Sequence, residues 1–413
     1  VKILIYEHLS AGGFREKGAS LSVLSEGFGM LRTAAEDAKS AGHAVTAILD
    51  GKIARLSPSL EADRKITVHS LPEAEIALFK AVDDADATYI IAPETENKLE
   101  QLVRKVEKNR VLSLNSTSSA IAQAADKSSF QRHATKLGLA TPKTLTFTIR
   151  DSPDRVAGTV GEKIGFPAVL KPTESAGCEA LGVINDKEQL EAAVAKLSSH
   201  TSSFFIVQQP IQGIAASVTI ISNGTEARPI TLNKQNIALK TPNEESNYNG
   251  GATPLDNKLK AAAFAATKQL VESIEGLHGY VGVDLVLTES KPVVIEVNPR
   301  LTTSYVGVRR IVKLNLMQAT INAVARRELP EKQETTGYAH FEKVKTRNPT
   351  NAALKQTFNM AEIVSPPFPL TDSHFTWALV CTQGATPQQA KLKFNKAKRL
   401  LQTTLQEGGK RPR

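Results

Sequence analysis

Asp284, Glu296 and Asn298, in the run VGVDLVLTESKPVVIEVNPR at residues 281–300, have the types and spacing to gather a cation. Apolar runs at 281–287 and 292–297 flank the turn-forming Thr288, Glu289, Ser290 and Lys291, which predicts an antiparallel hairpin. A turn centred on Ser290 sets Asp284 opposite Glu296, and the two-residue period of a strand puts Asn298 on the face of Glu296. Paired carboxylates repel without a cation, and Mg2+ favours a few carboxylate or amide oxygens completed by phosphates. The hairpin therefore reads as a seat for a Mg-nucleotide. The alternative for the same residues is a hairpin whose polar face meets water.

Other residues point the same way less sharply. Lys171 closes the apolar run 168–171 and precedes PTESAGCEALG, residues 172–182. Small residues there let backbone N–H groups approach an anion, and the lysine adds a point charge. Asp126 and Lys127 lie inside a helical pattern and by themselves read as a surface ion pair. Gly12 and Gly13, like the loop 92–96, follow strands where an open α/β sheet holds its ligands. They do not form the dinucleotide glycine signature, and a structural turn is the simpler account of the glycine pair. The polar stretch 233–253 reads as a long loop carrying Lys234, Gln235, Asn236, Tyr248, Asn249, Gly250 and Gly251; such loops are usually functional, with a surface insertion as the alternative. Gln208, Gln209 and Pro210 interrupt the strand pattern and mark a hinge, a common seat for a nucleotide base.

Positioning these residues needs elements that the pattern supplies. A strand at 2–6 entering glycines, helical spacing at 25–40 stopped by Gly42, and runs at 44–49, 65–69, 88–92 and 111–114 predict a parallel sheet with helices on both faces. One helix is expected over 119–137, with Gly138 as its stop. Strands at 143–147, 168–171 and 204–208 with helices at 155–164 and 186–197 make a small α/β unit. Strands at 216–221 and 227–232, a helix at 258–275 and the hairpin make a larger antiparallel one. Residues 302–327 are mostly helical, and beyond them strands at 338–346 and 374–381 and a helix opened by Thr386 and Pro387 form a tail without catalytic residues. The expected domains are 1–116, 117–206, 207–330 and 331–413.

Composition excludes several classes. With 41% hydrophobic and 23% charged residues, the chain is neither disordered nor fibrous. No apolar run nears the roughly 18 residues of a bilayer span, and the opening KILIY is too short for a secretory core, so a cytoplasmic protein is expected. Cys178 and Cys381, far apart, speak against a disulfide framework and read as small buried hydrophobes in a reducing compartment. A net charge of +9 raises nucleic acid as a partner. Eight Lys or Arg against the single acid Glu407 fall in residues 391–413, however, and no aromatic-rich basic motif accompanies them. A solvated helix face and basic tail explain the excess, and nucleic acid is not expected.

ADKSSF with Lys127, GFPAVLKP with Lys171, the glycine-containing loop to Gly182, VQQPIQG, GVDL and IEVNPR follow one another in an order that resembles the ATP-grasp superfamily of carboxylate–amine ligases, over residues 2–327. The resemblance implies an ATP-grasp fold, α/β and α+β in class. It would comprise an N-terminal parallel pre-ATP-grasp domain, a small lid with its linker helix, a larger antiparallel sheet and a C-terminal α+β tail. It also implies that Lys127 and Lys171 contact ATP phosphates and that backbone groups of Gln208, Gln209 and Ile211 hold adenine. Asp284, Glu296 and Asn298 would hold Mg2+, with Mn2+ able to replace it, and Arg300 with Lys171 would offset charge on the transferring phosphoryl group. The sequence departs from the family pattern at Gln208, where many members carry Glu, in GIAASV, which lacks an acid for ribose, and in a lid loop with fewer glycines.

The runs KILIYEHLSAGGF, GIAASVT, NKQN and YNGGATP look most similar to the ligases of methanofuran synthesis. That likeness implies glutamate and tyramine, or a related amine, as the pair joined, with Gly12, Gly13, Lys234, Tyr248, Gly250 and Gly251 nearest them. The alternatives are a ligase for another amino acid or peptide, a kinase-like transfer to a stable acceptor, and a non-catalytic nucleotide- or RNA-binding protein. ATP, a small carboxylate and an amine are thus the expected ligands, without a membrane, and a homodimer is the expectation carried from relatives.

Overall fold

The computed structural model describes residues 1–16, 19–173, 182–197, 204–241, 244, 246–371 and 373–407. The loop 174–181, with Cys178, lies outside the described residues.

The N-terminal sheet contains β1 (Lys2–Glu7), β2 (Ala44–Asp50), β3 (Arg64–Val68), β4 (Ala87–Ile91) and β5 (Leu112–Ser113), all parallel, in the order β3-β2-β1-β4-β5. Strand β1 is a continuous apolar run because both its faces are covered. Ile3 and Ile5 pack with Leu24, Phe28 and Leu31 of the helix Leu21–Ser40. Leu4 and Tyr6 pack with Leu78 and Leu102 of the helices Leu71–Asp83 and Lys98–Val106 on the other face.

A small antiparallel sheet follows, built from β6 (Thr144–Thr148), β7 (Ala168–Pro172), β8 (Gly182–Ile184) and β9 (Phe204–Gln208), in the order β6-β9-β7-β8. The helices Pro153–Lys163 and Lys187–Leu197 cover it through Val156, Val160, Leu190 and Val194. The expected boundary between 206 and 207 falls inside β9, because backbone pairing with β6 and β7 continues to Gln208.

The large sheet has eight strands: β10 (Ile214–Asn223), β11 (Ala227–Ala238), β12 (Asn247–Thr253), β13 (His278–Leu287), β14 (Pro292–Asn298), β15 (Tyr338–Arg347), β16 (Ile363–Ser365) and β17 (Phe375–Gly384). Their order is β14-β13-β10-β11-β12-β15-β17-β16. Two expectations are corrected here. The polar stretch 233–253 is mostly strand, since β11 runs to Ala238 and β12 opens at Asn247; pairing on both sides overrides the weak strand propensity of Asn, Gln and Gly. The segment 331–413 is no separate tail, since β15 pairs with β12 and carries the sheet onward to β17 and β16.

The helix expected over 119–137 is two helices, Ser118–Ala125 and Lys127–Lys136. Asp126 breaks them by adopting an extended conformation (φ −73°, ψ 97°), in which its side chain caps the second helix at the Ser128 N–H. The basic helix does open at Pro387, with the Thr386 hydroxyl accepting from the Gln389 N–H at 3.1 Å. Cys381 is fully buried, and burial pushes its thiol above the ordinary range. Among the described residues no helix is long and apolar enough to cross a membrane.

Candidate nucleotide and cation site

The β13–β14 hairpin places its acids by register. Leu287 pairs with Pro292 and Leu285 with Val294, but Asp284 pairs with Glu296, so Ile295 is an extra residue in β14. This bulge brings Asp284 and Glu296 to one face, with Asn298 two residues on and opposite Gly282. Asn298 Nδ2 donates to Asp284 Oδ2 at 3.3 Å, and Gln235 Nε2 donates to Oδ1 at 2.9 Å. Gln235 arrives from β11 because Ser217 of β10 lies opposite both Asp284 and Asn233.

The electrostatics of the pair are lopsided. Burial, and then the adjacent Glu296 charge, push Asp284 well above the usual carboxylate range. Glu296 is equally buried, yet Lys127, Lys171, the hydrogen bond with Asp284 and Arg300 hold it below that range. Among the described residues no cluster of three or more His, Cys, Asp or Glu side chains is placed to hold a metal. Two carboxylates and an amide instead match the way Mg2+ binds when phosphates supply its remaining oxygens. A cation bound between the pair would offset the burial and like-charge repulsion that raise Asp284.

Cations converge on the same face from three segments. Lys127, the first residue of its helix, is 8% exposed, so it is not the surface ion pair that adjacency suggested. Asp126 turns instead to the Ser128 and Ser129 hydroxyls, at 2.9 and 2.6 Å. Lys127 Nζ lies 3.5 Å from the Thr173 carbonyl, just beyond Lys171 on β7, and Lys171 is likewise buried. Arg300 follows β14 and donates from Nη2 to Glu94 Oε2 at 2.7 Å and from Nη1 to the Leu301 carbonyl at 3.0 Å.

At the hinge, Gln208 donates from Nε2 to the Thr144 hydroxyl at 2.9 Å, and the Gln209 N–H donates to the Lys143 carbonyl at 2.9 Å. Both groups are therefore committed to the small sheet. The Ile211 N–H has no backbone partner among the described residues and is a hinge donor open to a ligand.

The remaining candidates separate. Gly12 and Gly13 form a tight turn, in which a Cβ on Gly13 would meet the His8 ring at 2.7 Å. Gly12 is required by its backbone (φ 122°) and Gly13 by packing, as are Gly250 and Gly251, where a Cβ would meet the Phe341 and Lys234 carbonyls, each at 2.1 Å. Lys234 is exposed and alternates to the face opposite Gln235, away from the acids. Tyr248 lies on β12, its ring 5.8 Å from Lys343 Nζ, and Lys343 donates to Glu26 at 2.6 Å. Glu26, Glu94 and Lys343 were not singled out by spacing. Only Glu94 had a signal, its place in the loop after β4.

Comparison with known proteins places this geometry. Residues 44–121 match the family model of the pre ATP-grasp 3 domain and residues 124–304 that of the ATP-grasp domain. The chain is 27% identical over 309 residues to the tyramine–L-glutamate ligase of Methanocaldococcus fervens, covering 74% of this chain and 89% of that one. Its structure is similar to that of an ATP-grasp superfamily protein from Archaeoglobus fulgidus (TM-score 0.61, 22% identity, 92% of this chain and 99% of that one). It is also similar to the biotin carboxylase of Campylobacter jejuni (TM-score 0.72, 15% identity, 98% and 95%). At these identities the two structures speak to the fold.

Proposed function

The chain belongs to the ATP-grasp superfamily, and on that premise we propose that it is an ATP-dependent ligase that activates a carboxylate as an acylphosphate and joins it to an amine. The observation that carries the proposal is the convergence of Asp284 and Glu296, paired in register, with the buried cations Lys127, Lys171 and Arg300. A carboxylate resists nucleophiles because of its own charge and because oxide is a poor leaving group. Transfer of the ATP γ-phosphoryl group forms a new O–P bond and releases ADP. The amine then attacks the acyl carbon, a C–N bond forms, the C–O bond to phosphate breaks, and phosphate leaves with the proton that the amine nitrogen gives up.

The protein contributes position and charge to this sequence. Lys127 and Lys171 would hold phosphate oxygens, and Arg300 would offset charge on the transferring group and on the acylphosphate. Asp284, Glu296 and Asn298 would hold Mg2+, which when bound neutralises phosphate charge as a Lewis acid. The hinge at Ile211 would take the adenine through its N–H. A raised Asp284 makes proton and cation compete for the same oxygens, so cation affinity is expected to weaken as pH is lowered.

Glutamate with tyramine is the substrate pair we favour, supported by the likeness to tyramine–L-glutamate ligase over most of that protein's length. The test is a screen of ADP release over amino acids, with and without tyramine and related amines. A glutamate-dependent signal that requires tyramine supports the pair, and a signal with other pairs redirects it. Accumulation of a phosphorylated acceptor without amide would mark a kinase, and no ADP with any pair would overturn the ligase reading.

A further inference from the structure

We propose that Glu94 is a positioning residue that aligns Arg300 for phosphoryl transfer, joining the pre-ATP-grasp sheet to the reaction centre; the proposal rests on the ligase reading above. Glu94 follows β4 at the carboxyl end of the parallel sheet and is 5% exposed. Its loop is held by backbone bonds from the Asn97 N–H to the Glu94 carbonyl at 2.9 Å and from the Leu99 N–H to the Pro93 carbonyl at 3.1 Å. Arg300 lies 206 residues away in sequence, yet its Nη2 donates to Glu94 Oε2 at 2.7 Å.

The form of the contact matters. Arg and a carboxylate left to themselves prefer a fork of two parallel bonds. Here the guanidinium is also bonded through Nη1 to the Leu301 carbonyl, and the pair meets end-on through one bond. Arg300 Nε and Glu94 Oε1 are both buried without a hydrogen-bond partner among the described residues. A buried ion pair with an unmatched donor and an unmatched acceptor is a poor device for stability. It is a good device for orientation, because two anchors from different segments fix the plane of the guanidinium.

The other acids near Arg300 are engaged elsewhere. Glu26 accepts from Lys343 and from the Thr303 hydroxyl, and Asp284 accepts from Gln235 and Asn298. Glu94 is thus the carboxylate in direct contact. Burial works against the Arg300 charge, and Glu94, with smaller contributions from Glu26 and Asp284, more than restores it.

A double-mutant cycle on the full chain tests this, reading ADP release with the best carboxylate and amine from the screen. Glu94→Gln is expected to lower kcat by about tenfold or more with the KM for ATP moving less than about threefold, the split that misplacement of a group acting on the transition state produces. In an Arg300→Ala background the same change is expected to cost less than about twofold, because a residue acting through another loses its effect when that other is gone. Equal losses in both backgrounds, no loss of kcat, or a matching rise in the KM for ATP would overturn the proposal. Should Glu94→Gln fail to fold, Glu94→Asp enters the same cycle with the same outcomes. A wild-type chain without ADP release sinks the ligase reading itself, whereas an active wild type with additive losses sinks only the role of Glu94.

Discussion

Asp284 and Glu296 share one buried face and are held in opposite protonation tendencies by what surrounds them. Burial beside Glu296 raises the Asp284 carboxyl, so the folded chain holds its proton to higher pH than the unfolded chain does. The residue therefore takes stability away as pH rises above the ordinary carboxylate range. Asp284→Asn is expected to raise the thermal midpoint of the metal-free protein at about pH 7, because the amide removes the cost of ionising a buried acid beside Glu296. Calorimetry in the presence of a chelator checks it, and a lower midpoint would mean that the charged carboxylate is stabilised in place. Glu296→Gln and Lys171→Ala are each expected to cut ADP release by about 100-fold or more with the circular dichroism spectrum intact, as loss of a group facing transition-state charge does. Near wild-type ATP consumption in either variant removes the mechanism.

At the scale of elements, β14 shows how a correct expectation rests on compensating geometry. The turn lies between Glu289 and Ser290, half a residue from the centre read in the sequence, and regular pairing from Leu287–Pro292 would have put Ile295 opposite Asp284. The bulge at Ile295 restores the opposition. The basic helix Pro387–Glu407 is tied to the far face of the sheet by Glu342, whose Oε1 receives Lys391 Nζ at 2.7 Å, with His340 Nε2 also at 2.7 Å. Burial works upward on Glu342, but these bonds from His340 and Lys391 prevail and hold it at about 2. A depressed acid stabilises the fold above its ordinary value of 4.5 and loses that contribution as pH falls from there toward about 2. Glu342→Gln is expected to cost on the order of 1–3 kcal/mol at neutral pH and to flatten the stability profile through that window. Urea midpoints from acid to neutral pH measure both, and an unchanged profile would show that the clasp contributes nothing.

Across the whole molecule, the eight-stranded sheet makes the C-terminal segment part of the ATP-grasp body. Phe341, Phe368, Leu379 and Cys381 share one core with Ile3, Phe28 and Tyr305 of the earlier segments. Arg309 adds a buried tie, donating from Nη2 to Asp37 at 2.6 Å beside the Tyr305 hydroxyl. A chain ending at residue 330 would expose β12 as an unpaired edge and strip that core. It is expected to aggregate or to melt without cooperativity, as seen by circular dichroism and size-exclusion chromatography. Cooperative unfolding with full ADP release would instead establish the segment as a separable domain.

The sequence by itself determined the elements whose signal is local: the parallel strands, the hairpin and its acids, the Thr386–Pro387 helix start, and Lys171 as a phosphate candidate, whereas Lys127 owed that role to the family resemblance. Periodicity and caps act within a few residues, so the chain's own order carries them. Tertiary structure alone decided what depends on backbone pairing or on partners far along the chain. It turned 233–253 into strands, merged the tail into the large sheet, and sent Lys234 away from the acids while bringing Gln235 to them. It also set Glu94 against Arg300. Hydrogen-bond ladders and buried charges answer to whatever surface the fold brings alongside, and no spacing in the sequence between residues 94 and 300 encodes that meeting.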